Sequence, residues 1–254
     1  METRSVRRAA EILIHIGGEP EGLSLSEASR RVGLSKATTY RILQTLVDSQ
    51  FARQDEQSTR YFIGDGLLRL TRGVGAYEEL VRNARPVMET LRDKTRETVT
   101  LVVPSGEHRL TIEVALGTHE LKAAPEKGGT KPLYAGAAGR VLLAYLPSEQ
   151  TAGLLNKPRL RSVTRATITS TAALLQKMES IRKTGLAISM EEAVLGQFAV
   201  AAPIFRDGDT IIAALNLCGP TARITPEIVE QLAKTVSAAA KKISQKLRSA
   251  SFHS

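Results

Sequence analysis

Ser35, Lys36, Thr38, Thr39, Arg41 and Thr45 crowd hydroxyls, an ammonium and a guanidinium into one short stretch of a 254-residue chain. Side chains of these types, grouped toward the start of a helix, can donate to phosphate oxygens and to the edges of bases. Further on, Arg53 and Arg60 flank the polar turn 54–59 between two β-prone runs, Phe51-Ala52-Arg53 and Arg60-Tyr61-Phe62-Ile63. A basic hairpin directly after such a helix is a wing, suited to backbone or minor-groove contact. The same residues are also compatible with an ordinary helical hairpin whose polar face is solvated.

Other candidate chemistry is sparse. Cys218 is the single cysteine, which excludes an intrachain disulfide and suits a reducing cytoplasm. It reads as a buried strand residue, since no His or cation stands near it in sequence. His15, His108, His119 and His253 show no metal-ligand spacing, so neither a metal nor another cofactor is expected. His119 precedes a candidate pocket strand and is either a ligand contact or an ordinary half-buried histidine. Neither a GxxxxGK[ST] phosphate loop nor a GxSxG elbow is present. An enzyme built on the second half of the chain is the rival reading, and it has no catalytic constellation to rest on.

The groups at 35–45 need a helix to carry them. Ser24 with Glu27 is a capping box that starts one helix, Leu25, Ala28 and Val32 share its inner face, and Gly33 can leave it with positive φ. Ser35 caps the next helix, in which Tyr40, Leu43, Leu46 and Val47 are expected to be buried. An earlier helix presents Val6, Ala9, Leu13 and Ile16 and ends at Gly17-Gly18. Its basic, amphipathic pattern lacks a cleavage site and reads as part of the mature protein. Three helices and a hairpin make a winged helix-turn-helix domain over residues 1–65.

From Leu67 the apolar residues Leu67, Leu70, Val74, Tyr77 and Val81 alternate steps of three and four, the spacing of a coiled-coil seam. Residues 66–84 are therefore expected to be a linker and dimerisation helix, or else a connector packed on its own domain. Paired winged domains would read two half-sites arranged as an inverted repeat. Beyond it, residues 85–254 mix helices (from Pro86, Gly136, Ser148, Ser170 and Pro226) with strands near 98–103, 109–116, 121–124, 186–190, 198–205 and 211–217. Strands joined mostly by hairpins, with helices gathered around them, indicate an α+β domain with a mainly antiparallel sheet.

Composition agrees with two globular domains: 42% hydrophobic and 24% charged residues, and no apolar run near the roughly 18 residues of a membrane span. No membrane partner is expected. The net charge of +9 permits a polyanionic partner, but its distribution does not locate one. Through Gly75 there are 11 basic and 9 acidic residues, so most of the excess lies in the rest of the chain.

The motifs Ser5-Val6-Arg7-Arg8-Ala9, GLSKATTYRIL from Gly33, YFIG from Tyr61, PLYAGAAGRVLLAY from Pro132, EEAVLG from Glu191 and NLCGPTARIT from Asn216 occur in an order that resembles the IclR family of bacterial transcriptional regulators. The resemblance spans essentially the whole chain. It implies a winged helix-turn-helix, a linker helix and a C-terminal effector-binding domain similar to GAF and PAS-like folds. It further implies homodimers or dimers of dimers on double-stranded operator DNA, with repression or activation set by a small metabolite. The effector would lie near Ala135, Gly136, Ala137 and Gly139, near the loop from Ser189 to Ala199, and near Asn216 and Cys218. The chain departs from relatives that bind organic acids. Some of these carry an acid where Ser189 stands, a cysteine at Ala199 and hydroxyls at Asn216 and Cys218. Ala137 and Gln50 each replace a usual glycine.

A helix beginning at Gly136 would offer free N–H groups and a positive dipole end to an anion, so a carboxylate-bearing effector is expected. The small residues there could equally serve close packing. Glu191 and Glu192 could line the pocket, but a solvated loop is expected.

Overall fold

The computed structural model describes residues 3–67, 76–157, 160–206, 208 and 210–251. The chain divides into two compact units, Met1–Ala76 and Tyr77–Ser254.

In the first unit, helices α1 (Arg4–Gly17), α2 (Leu25–Val32) and α3 (Lys36–Asp48) precede a hairpin of β1 (Ala52–Gln54) and β2 (Tyr61–Ile63). Ser24 and Glu27 form the capping box, each bonded to the other's backbone N–H, and Gly33 ends α2 at φ 65°. The Ser35 hydroxyl accepts the N–H of Thr38 and so caps α3. Ile12, Ile16, Leu23, Ala28, Leu43, Leu46, Ala52 and Tyr61 form the core. Two inward faces differ from expectation. Val6 is 67% exposed, and α1 packs instead through Ile12 and Ile16, with Ala9 and Leu13 beside them, because the first turn overhangs the small core. On α3, Tyr40 is 48% exposed and Thr39 turns inward. Gln50, where the family resemblance implies a glycine, sits at φ 63°, the left-handed region that glycine enters most easily.

The second unit opens with one helix, α4 (Ala76–Thr95), which passes through Pro86 and does not start there. Pro86 lacks the N–H that a helix interior normally uses, yet burial of Leu80, Ala84, Val87, Met88 and Leu91 on one side outweighs that loss. Tyr77 and Val81, expected in a seam, pack on this same core, while Leu70 and Val74 lie outside the described residues.

Strands β3 (Thr98–Ser105), β4 (His108–Ala115), β5 (Thr130–Pro132), β6 (Ala187–Met190), β7 (Gln197–Phe205) and β8 (Ile211–Pro220) form one antiparallel sheet in the order β5-β4-β3-β8-β7-β6. The strand expected at 121–124 is absent: Ala123 is buried and its carbonyl accepts the Thr98 hydroxyl, and Pro125 cannot extend a ladder. The edge position is taken by β5. Between β5 and β6 run α5 (Ala137–Tyr145), α6 (Ser148–Leu155) and α7 (Thr171–Thr184), and α8 (Pro226–Ser251) closes the chain. The sheet carries two cores. Val99, Leu101, Val103, Leu215 and Leu217 face α4 and α8, whereas Val102, Ala201 and Ala214 face α5 and α7. Covered on both faces, β3 and β8 are nearly continuous buried runs.

Candidate functional site

The first unit presents α3 outward. Lys36, Tyr40, Arg41 and Thr45 are exposed, and Thr38 is half-buried with its hydroxyl 2.9 Å from that of Ser35. Ser35 is committed to the cap, and Thr45 donates to the Arg41 carbonyl. Two residues expected on the DNA-reading surface are placed elsewhere. Thr39 is fully buried and donates to the Ser35 carbonyl at 3.1 Å, which satisfies its hydroxyl without solvent. Arg60 is folded back, donating to the carbonyls of Glu21 and Gly22 and to Glu27 at 2.9 Å, so its guanidinium ties the hairpin to the entry of α2. Arg53 remains outward, with its guanidinium 4.6 Å above the Phe62 ring.

In the second unit a cavity of about 430 Å³ opens on the α5 side of the sheet. Gly136 and Ala137 line it where α5 begins, and no side chain caps that helix. Gly136 has φ 82° and ψ 173°, a conformation open to glycine alone, and a Cβ there would come within 2.9 Å of the Ala193 side chain. Ser189, Ala199, Asn216 and Cys218 contribute to the same wall. The Asn216 amide donates to the Thr100 hydroxyl at 3.1 Å, while its buried Oδ1 has no partner. Burial pushes the Cys218 thiol up to about 12.

Ala135 and Gly139, expected at this site, are not in the cavity wall. Ala135 is buried with its N–H on the Pro132 carbonyl, and Gly139 lies so close to Leu133 that a Cβ would stand 2.3 Å from the carbonyl oxygen. Both serve packing. Glu192 does not sit in a solvated loop: it is ion-paired with Arg140 of α5, whose guanidinium is buried and also donates to the Ile188 carbonyl at 2.6 Å. Thr164 and Thr167 hydroxyls hold the carbonyls of Glu191 and Glu192, which fixes the loop beside the cavity.

A family model described as the bacterial transcriptional regulator IclR C-terminal domain matches residues 76–245, and one for the IclR helix-turn-helix domain matches residues 5–56. The chain belongs to the IclR family. The transcriptional repressor IclR of Escherichia coli K12 is 29% identical over 95% of this chain and 89% of its own. The regulator KdgR of the same strain is 31% identical over 96% and 92%. A crystal structure of an IclR homolog from Microbacterium hydrocarbonoxydans complexed with 4-hydroxybenzoate superposes with a TM-score of 0.80 at 23% identity, covering 96% of this chain and 99% of that one. At that identity the likeness is one of fold. The IclR-family chain is thus a DNA-binding transcriptional regulator with an effector-binding C-terminal domain, and its relatives are regulators, not enzymes.

Several cavity residues of this IclR-family chain escape sequence reasoning. Arg109, Lys131, Thr100, Thr111 and Gln197 all reach the wall. In a half-exposed hairpin, polar residues at alternate positions read as the solvent face, and only the helix laid over that face converts it into a lining. The Nε of Arg109 is buried without a partner. Burial lowers the pKa of Arg109 and of Lys131, and the Arg109 charge adds to the effect on Lys131. Among the described residues no three His, Cys, Asp or Glu side chains cluster as a metal site, and no helix is long and apolar enough to cross a membrane.

Proposed function

We propose that this protein is a cytoplasmic regulator that binds an inverted-repeat operator as a homodimer or dimer of dimers and changes its operator affinity when a carboxylate-bearing metabolite enters the cavity. Lys36 and Thr38 beside the Ser35 cap, with Arg41 and Thr45 further along α3, are assigned to the major groove, and Arg53 to the DNA backbone or minor groove. The carboxylate assignment rests on one observation: the uncapped start of α5 and Arg109, whose buried Nε has no partner, line the same cavity. Free N–H groups and a guanidinium both favour an anion. The 4-hydroxybenzoate held by the Microbacterium relative is itself a carboxylate.

An effector alters operator affinity only by binding the DNA-competent and incompetent arrangements unequally, with coupling of about 1–3 kcal/mol. The test is titration of the protein with its own upstream intergenic DNA at two salt concentrations, against scrambled DNA, with and without a panel of carboxylates. Specific, salt-dependent binding that a carboxylate shifts supports the reading. Binding no better than to scrambled DNA, here and in a genomic-fragment pulldown, overturns it.

A further inference from the structure

Arg109 on β4 and Lys131 on β5 are register partners in the antiparallel ladder, and both line the cavity. Among the described residues neither is paired with a carboxylate. The acid in the same wall, Glu126, is exposed. Two like charges held in a partly closed space repel each other and have each lost water. An anion placed between them relieves both costs.

The second anion-accepting feature lies toward the other side of the sheet. Gly136 packs by Ala193 and Ser189, next to β6, whereas the cations stand on β4 and β5. Between them, β3 and β8 carry the paired Thr100 and Asn216. The two features flank the Thr100–Asn216 pair in one cavity wall, so each can take its own anionic group. In the middle, Asn216 is 5% exposed, its amide nitrogen is used on Thr100, and its Oδ1 lacks a donor. A buried carbonyl oxygen left unpaired is costly, and a ligand hydroxyl can satisfy it.

We propose that the effector is a small hydroxy-dicarboxylate dianion, with one carboxylate between Arg109 and Lys131, the other at the N–H groups of Gly136 and Ala137, and the hydroxyl donating to Asn216. This rests on the effector-binding reading above and narrows it from an acid to a two-headed acid.

The probes are malate, 2-hydroxyglutarate, succinate, glutarate, lactate and glycerol 3-phosphate, titrated calorimetrically into the full-length protein. At least one hydroxy-dicarboxylate is expected to bind about tenfold or more tighter than lactate and than its own deoxy counterpart. Lys131→Gln should erase the advantage over lactate and Lys131→Arg should keep it, which separates charge from folding. Asn216→Leu should erase the advantage over succinate or glutarate. Lactate or glycerol 3-phosphate binding as tightly as every dicarboxylate overturns the proposal. So does a preference unchanged in Lys131→Gln, or the absence of binding by all six. Operator binding, measured on the same preparations, reports separately on the regulatory reading: if it persists while all six probes fail, the dicarboxylate assignment alone falls.

Discussion

At the scale of single residues, the outward Arg41 and the lone thiol have separable consequences. Arg41 is exposed on α3 with no structural duty, so Arg41→Ala should lower the ratio of operator to scrambled-DNA affinity while leaving thermal stability unchanged. A base-reading side chain is worth about 1–3 kcal/mol of discrimination. An equal loss on both DNAs in a binding titration would move Arg41 from base to phosphate. Cys218 is the only cysteine, and burial raises its thiol to about 12. A raised pKa favours the neutral thiol, and the thiolate is the reactive form. At pH 8 the native protein should therefore react slowly with a disulfide reagent and release one equivalent only on denaturation. Stoichiometric reaction of the native state within minutes would contradict the burial.

Elements decide what those residues are free to do, and Arg60 is the clearest case. Its bonds to Glu21, Gly22 and Glu27 make it a brace between the hairpin and the capping box. Arg60→Ala should cost about 1–2 kcal/mol of stability in the N-terminal unit, discounting for partial exposure, as read by denaturant unfolding. Its salt dependence of DNA binding should stay as in the unaltered chain. A flattened salt slope would restore Arg60 to the DNA contact set. On α5, Gly139→Ala forces a Cβ to within 2.3 Å of the Leu133 carbonyl and should destabilise the C-terminal unit by about 1–3 kcal/mol.

The same elements explain what could be read from the sequence. Caps at Ser24 and Ser35, the stop at Gly33 and the hairpin runs are local signals, and each lies where expected. On α3, Leu43 and Leu46 are buried and Val47 packs beside them as expected, and only Tyr40 is misplaced, because Thr39 and Tyr40 both keep helical spacing with Leu43. The tie is broken by the Ser35 carbonyl, which lets a threonine be buried cheaply. Gly136, Ala137, Ser189, Ala199, Asn216 and Cys218 could be carried over from the family motifs. Arg109 and Lys131 could not, since nothing local says that a helix covers their strand face.

For the molecule as a whole, the two units have separate cores, one around Leu43 and the others on the two faces of the six-stranded sheet. A fragment of residues 77–254 should therefore fold cooperatively, bind the dicarboxylate probes as the full chain does, and fail to bind operator. Loss of cooperative unfolding in that fragment, by circular dichroism, would show that the N-terminal unit is needed for its fold. Within this larger unit the Arg140–Glu192 pair has a bearing on descent as well as on structure. Changing either partner alone strands a buried charge at about 3–5 kcal/mol, whereas exchanging both for apolar residues can be neutral. Lineages can thus alter the cavity loop around Glu192 by small steps while keeping the pair, but to abandon it they must cross a poorly folded intermediate or change both positions together.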